Sequence, residues 1–142
     1  KKPKNNQTHR AARIRIRKNT MEDLPSRILY NKDFSKASFL NRLTGCAGVL
    51  YPPGCLSKEV FNKDFFMNKL ATHDDIWFWA SAVLNRTKVQ VVKGYMESVR
   101  LIENSQEFAL CKINRVSTTD EAYKILTENY PRILDILKEE ER

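Results

Sequence analysis

Apolar positions along this chain fall into three rhythms, and each predicts a different element. Over residues 12–17 arginine and isoleucine alternate, so a strand here turns Ile14 and Ile16 to one face and Arg13, Arg15 and Arg17 to the other. Over residues 74–85, Ile76, Trp79, Ala80 and Val83 recur at helical spacing, while Trp77, Phe78 and Leu84 spread apolarity around the cylinder. That pattern predicts a helix buried on most sides. Residues 47–51 form a short unbroken apolar run closed by Pro52-Pro53-Gly54, the punctuation of a buried strand leaving into a turn.

The remaining segments are less regular. Residues 56–70 hold Leu56, Val60, Phe61, Phe65, Phe66 and Leu70 near helical spacing with an interruption at residues 62–64, which predicts two short helices. Val89, Val91 and Val92 predict a short strand at 88–92. Residues 119–142 read as mostly helical, capped by Thr118 or Thr119, broken at Pro131 and ending in a solvated charged run at 138–142. Residues 1–7 are polar and read as a loop or linker, and residues 18–41 as a long loop with short helical pieces, since Pro25 bars a continuous helix. Residues 95–117 are polar with weak periodicity. A helix followed by a strand suggests a mixed α/β layer, and the fold class expected is α/β.

Composition narrows the class. At 142 residues the chain suits one core. It has no apolar stretch long enough to cross a bilayer and no secretory pattern at its start, so it reads as soluble. Cys46, Cys55 and Cys111 are odd in number and lack Cys-x-x-Cys spacing, which fits a reducing cytosol better than a disulfide framework or a zinc cluster. The net charge of +8 invites a nucleic-acid reading, but eight basic residues and no acid occupy the first eighteen positions, and the rest carries 17 basic and 17 acidic residues. The excess therefore belongs to an N-terminal arm. The alternating arginines suit either a solvated sheet edge or bidentate recognition of a phosphate or diphosphate.

Candidate chemistry concentrates in two motifs. Thr44-Gly45-Cys46-Ala47-Gly48 precedes Val49-Leu50-Tyr51-Pro52-Pro53, and His73-Asp74-Asp75-Ile76-Trp77 opens the apolar helix. Glycines let backbone approach a ligand, and a carboxylate near them can serve as a base. Each motif also has a plainer use. Glycines ease the chain into a strand, and acids favour a helix's first turn, where Thr72-x-x-Asp75 has the form of a capping box. His73 suits the surface better than a metal, because no ligand spacing accompanies it.

The His9-Arg10 pair opening a strand, the Gly-x-x-Gly-Val-Leu-Tyr-Pro-Pro segment and the Asp-Asp-Ile-Trp segment together resemble the C-terminal half of bacterial nucleotide-sugar-dependent glycosyltransferases of the GT-A-like kind that build capsular and cell-surface polysaccharides. The resemblance implies a partial GT-A-like mixed sheet with flanking helices over residues 1–94, the acceptor side of the enzyme, and a mostly helical extension packed on it over residues 95–142. It implies transfer of a sugar from a nucleotide-sugar donor to a saccharide hydroxyl. Asp75 or Asp74 would be the base, held ionised by the helix N-terminus. Thr44, Gly45, Cys46, Ala47, Gly48, Tyr51 and Arg10 would lie against substrate, with Trp77 as an aromatic platform for the acceptor sugar.

The chain departs from the family pattern in lacking an Asp-x-Asp sequence and a preceding β-α-β series for the nucleoside. That half would lie upstream of Lys1. A divalent cation, Mg²⁺ or Mn²⁺, is expected in the complete enzyme, with ligands mostly outside this chain. The expected location is cytoplasmic, and a lipid-linked acceptor would add contact with the inner membrane face. The competing class is a non-catalytic basic module in which Arg10, Arg13, Arg15 and Arg17 grip nucleic acid or an anionic surface.

Overall fold

The computed structural model describes residues 4–24, 34–45, 48–92, 103 and 116–141. Strand β1 (Asn6–Thr8) is the middle of a mixed three-stranded sheet, antiparallel to β5 (Val49–Leu50) and parallel to β6 (Val89–Val91). Strand β2 (Ala11–Arg17) is the middle of a second, antiparallel sheet between β3 (Thr20–Asp23) and β4 (Asn41–Leu43). The two sheets are joined where Ser38 and Val89 exchange main-chain hydrogen bonds of 3.0 and 3.1 Å. Asn41 Nδ2 also donates to the Val89 carbonyl at 2.9 Å. Among the described residues four α-helices complete a mixed α/β fold: α1 (Lys63–Lys69), α2 (Asp74–Leu84), α3 (Val116–Asn129) and α4 (Arg132–Glu141).

Two polar stretches differ from the loop reading. Residues 6–8 form the central strand β1, in which Asn6 and Thr8 are fully buried and the main chain of both neighbours satisfies the ladder. Within residues 18–41, Thr20–Asp23 pairs with β2 through a two-residue turn at Lys18 and Asn19, both at positive φ (48° and 66°). Such a turn matches the twist of the strands it joins. Strand β2 is consequently not a sheet edge, and two of its three arginines are engaged: Arg13 donates to Asn41 Oδ1 at 2.6 Å and Arg15 pairs with Glu22 across the hairpin. Pro25 and Tyr30 lie outside the described residues, as do Cys46, Ala47 and Cys111.

Helix α2 runs over the expected residues and buries seven of them, Ile76, Trp77, Trp79, Ala80, Ser81, Ala82 and Val83. Trp79 is fully buried, and its indole N–H donates to the Phe39 carbonyl at 2.8 Å. Burying a large apolar side chain contributes about 1.5–3 kcal/mol, so this helix is the chief anchor of the fold. Residues 58–69 split as expected, into a 3₁₀ turn at Lys58–Phe61 and α1, with Asn62 accepting from the Phe65 N–H to cap the second. Tyr123, Leu126, Ile133, Ile136 and Leu137 of α3 and α4 join the same hydrophobic core as α2 and the strands. Thr118 and Thr119 lie inside α3, which starts at Val116, so neither is its cap. The charged end of α4 is tied down rather than merely solvated: Glu140 accepts from the Phe39 N–H at 2.9 Å and from Lys88 Nζ at 3.1 Å. Among the described residues no helix is long and apolar enough to cross a membrane.

Candidate active site

Three sequence-distant segments converge beyond the C-terminal end of β1. The Arg10 carbonyl accepts from Thr8 Oγ1 at 2.9 Å, from the Thr44 N–H at 3.1 Å and from Thr44 Oγ1 at 3.2 Å. That one carbonyl therefore fastens the end of β4 to the junction of β1 and β2. The chain then turns, with the Gly48 N–H donating to the Gly45 carbonyl at 2.9 Å and Gly48 at φ +81°, a conformation that favours glycine.

The third segment is the start of α2. Asp75 Oδ1 accepts the Gly45 N–H at 2.8 Å, which joins the glycine turn to the aspartate pair across thirty residues of chain. A Cβ on Gly45 would lie 2.7 Å from the same oxygen, so the missing side chain is what permits the bond. Asp75 is therefore not the second half of a capping box. His73 is the N-cap of α2 and makes no side-chain cap bond, while Thr72 Oγ1 meets its own neighbour, His73 Nδ1, at 3.1 Å.

The electrostatics separate the two aspartates. Asp74 is exposed, whereas Asp75 is half-buried, and burial pushes its carboxyl above the ordinary aspartate value. The Gly45 N–H opposes that shift, the Asp74 charge adds to it and Arg42 opposes it. A helix N-terminus by itself acts in the other direction. His73 is half-buried and held below the ordinary histidine value, first by burial and then by Arg42, against the pull of Asp74. The phenol of Tyr51 is pushed well up by burial and then by the charges of Asp75 and Asp74.

The aromatic neighbour of the aspartates is Phe78, not Trp77. Trp77 is 2% exposed and packs against Phe65 and Tyr130, with ring centroids 5.1 and 5.7 Å away, so it is core and offers no platform. Phe78 lies one helical turn beyond Asp74 and Asp75, is half-buried and stands 5.5 Å from Tyr51, centroid to centroid. Its spacing of three and four residues from the aspartates puts it on their side of the helix.

Of the residues singled out by the sequence, Thr44, Gly45, Gly48, Tyr51, Asp74 and Asp75 are brought together, along with the main chain of Arg10. Cys46 and Ala47 lie outside the described residues. Thr8 and Phe78 belong to the same neighbourhood and had not been expected there. The described residues contain no group of three His, Cys, Asp or Glu side chains able to hold a metal ion, so they offer no cage of their own for a divalent cation. No family model, curated protein or solved structure matches the chain.

Proposed function

We propose that this chain is the acceptor-side part of a GT-A-like glycosyltransferase, transferring a sugar from a nucleotide-sugar donor to a saccharide hydroxyl. The observation that carries the reading is the 2.8 Å bond from Gly45 N–H to Asp75 Oδ1, with Asp74 next to it in the chain and the Tyr51–Phe78 ring pair one helical turn on. A first-turn aspartate used only for capping has no reason to reach a glycine turn thirty residues upstream. Here one carboxylate oxygen is fixed by the main chain, and the other remains for the acceptor.

Asp75 is the better placed of the two as base. A carboxylate raised by burial is a stronger proton acceptor than a solvated one, and the Gly45 bond limits its rotation. In the reaction, Asp75 takes the acceptor hydroxyl proton as that oxygen forms its bond to the anomeric carbon. The bond from that carbon to the diphosphate oxygen breaks with its electron pair leaving on the nucleotide, so the configuration inverts. Asp74 then orients the acceptor, and the Tyr51–Phe78 pair gives the sugar an apolar surface. A divalent cation would neutralise the leaving diphosphate from ligands supplied elsewhere.

The competing reading, a basic module gripping phosphates, draws less support, because Arg13 and Arg15 are already bonded to Asn41 and Glu22. The two separate in one assay. With the natural polypeptide that carries this chain, transfer from a panel of nucleotide sugars to saccharide acceptors should fall at least about a hundredfold in Asp75→Asn, the scale of general-base loss. Normal transfer in both Asp75→Asn and Asp74→Asn would contradict the assignment. Nucleic-acid binding that weakens steeply with salt and ignores both substitutions would favour the basic module.

A further inference from the structure

Three large apolar side chains stand exposed among the described residues, and two of them belong to one stretch that the proposed reaction does not use. Phe61, at the end of the 3₁₀ turn, is 84% exposed, and Met67 on α1 is 53% exposed; the third, Leu50, lies on β5. No residue of α1 is buried, although Phe65, Phe66 and Met67 are three of its seven. Phe65 faces the body of the protein and packs on Trp77 and Tyr130. Met67, two positions on, therefore lies on the opposite side of the helix, one turn beyond Lys63. Phe61 precedes the Asn62 cap, a position whose side chain ordinarily packs on the fourth residue of the helix, here Phe66. Its exposure shows that this staple is open.

The platform beneath these side chains is well tied. Ser57 Oγ accepts the Glu59 N–H at 3.2 Å, Asn62 Oδ1 accepts the Phe65 N–H at 3.2 Å, and Asn62 Nδ2 donates to the Tyr130 hydroxyl at 3.1 Å. That hydroxyl donates in turn to Glu59 at 3.0 Å, which occupies one of the two acids of the stretch. Lys58, Lys63 and Lys69 are exposed, and among the described residues none of them pairs with an acid. Lys58 and Phe61 are three apart on a 3₁₀ turn, where such side chains eclipse, and Lys63 and Met67 are four apart on α1. Each exposed apolar side chain thus has a free ammonium as its neighbour. A stable protein interface buries roughly 800 Å² on each partner and is depleted in lysine, which this small lysine-bearing patch does not match. An anionic bilayer does match it, because apolar side chains enter the headgroup boundary while lysine stems let their charges stay with the phosphates.

We propose that the surface formed by the 3₁₀ turn and α1 docks on an anionic phospholipid bilayer, with Phe61 and Met67 entering its interface and Lys58, Lys63 and Lys69 meeting the headgroup phosphates. From Lys69 the chain reaches Asp74 in five residues, a span of at most about 18 Å. A saccharide held in that bilayer by a lipid would therefore be presented close to the aspartate pair. That last consequence rests on the glycosyltransferase reading. The docking itself does not, and it requires nothing of the basic N-terminal arm.

The test is binding of the natural polypeptide that carries this chain to vesicles of phosphatidylcholine and phosphatidylglycerol in equal parts, read by co-sedimentation. Phe61→Ser should weaken binding at least about tenfold, the scale of burying one large apolar side chain. The triple variant Lys58→Gln, Lys63→Gln, Lys69→Gln should weaken it by at least about as much, and vesicles of phosphatidylcholine alone should bind the wild type far less. In Phe61→Trp the new indole should shift its emission to the blue on adding the mixed vesicles and be quenched by brominated lipid, against the constant background of the buried Trp77 and Trp79. Undiminished binding in Phe61→Ser, with loss instead in Arg17→Gln, Lys18→Gln, would assign the contact to the N-terminal arm and overturn the proposal. So would equal binding to neutral vesicles, or an indole that shifts without vesicles as protein concentration rises, the sign of a second copy on the patch. No sugar enters the experiment, so a failed transfer assay leaves its result intact, and absence of vesicle binding leaves the assignment of Asp75 intact.

Discussion

Helix α2 brings Asp74 and Asp75 to the candidate site by burying seven of its eleven residues, whereas strand β1 brings Thr8 and leads to the Arg10 carbonyl with the sequence Asn-Gln-Thr, which has no apolar side chain. Both are buried, and they are held by different forces. The helix is anchored by packing, with Trp79 and Val83 fully enclosed. The strand is anchored by its main chain, which pairs with β5 on one side and β6 on the other, with Asn6 N–H donating to the Lys88 carbonyl at 3.1 Å and Val92 N–H to the Thr8 carbonyl at 2.8 Å. The side-chain amide of Asn6 is fully buried and has no hydrogen-bond partner among the described residues. Pattern reading detects the first kind of anchorage and misses the second, because main-chain pairing leaves no trace in side-chain polarity.

The comparison can be broken at either end. The largest effect is expected from Trp79→Ala, which empties a fully buried site and orphans the Phe39 carbonyl; it should cost about 3–5 kcal/mol by denaturant unfolding. A loss below about 1 kcal/mol would mean that α2 is not the anchor its burial suggests. A smaller effect is expected from Thr8→Val, which keeps the volume and the strand but removes the hydroxyl that donates to the Arg10 carbonyl and accepts the Arg10 N–H at 3.2 Å. The cost should be about 1 kcal/mol. If Thr8→Val were as damaging as Trp79→Ala, β1 would be held chiefly by its side chains, and the contrast would collapse.

The sequence patterns that carried the fold were those with a side-chain period. The alternation around Ile14 and Ile16, the helical spacing of Ile76, Trp79, Ala80 and Val83, the break at Pro131 and the break near Asn62 all correspond to observed elements. Strand β3 was hidden because Thr-Met-Glu-Asp has one buried residue, Met21, and because its turn uses Lys18 and Asn19 rather than a glycine. At the site, the glycine turn and the aspartate pair were each visible and were expected near one another, but the bond that joins them was not, since nothing local ties Gly45 to Asp75. Trp77 was misplaced for a different reason. On a helix apolar all round, periodicity does not say which aromatic faces the cleft, and the packing of Phe65 and Tyr130 decides it.

The central claim is that Asp75 is fastened to the glycine turn as a poised carboxylate rather than serving as a helix cap. The most direct measurement is the pH dependence of the Gly45 amide resonance in ¹⁵N-labelled protein, because that N–H is the one Asp75 accepts. Gly45 should titrate with a midpoint above the ordinary aspartate value, the direction that burial gives Asp75, and the titration should vanish in Asp75→Asn. A Gly45 amide insensitive to pH, or one that titrates unchanged in Asp75→Asn, would contradict the account.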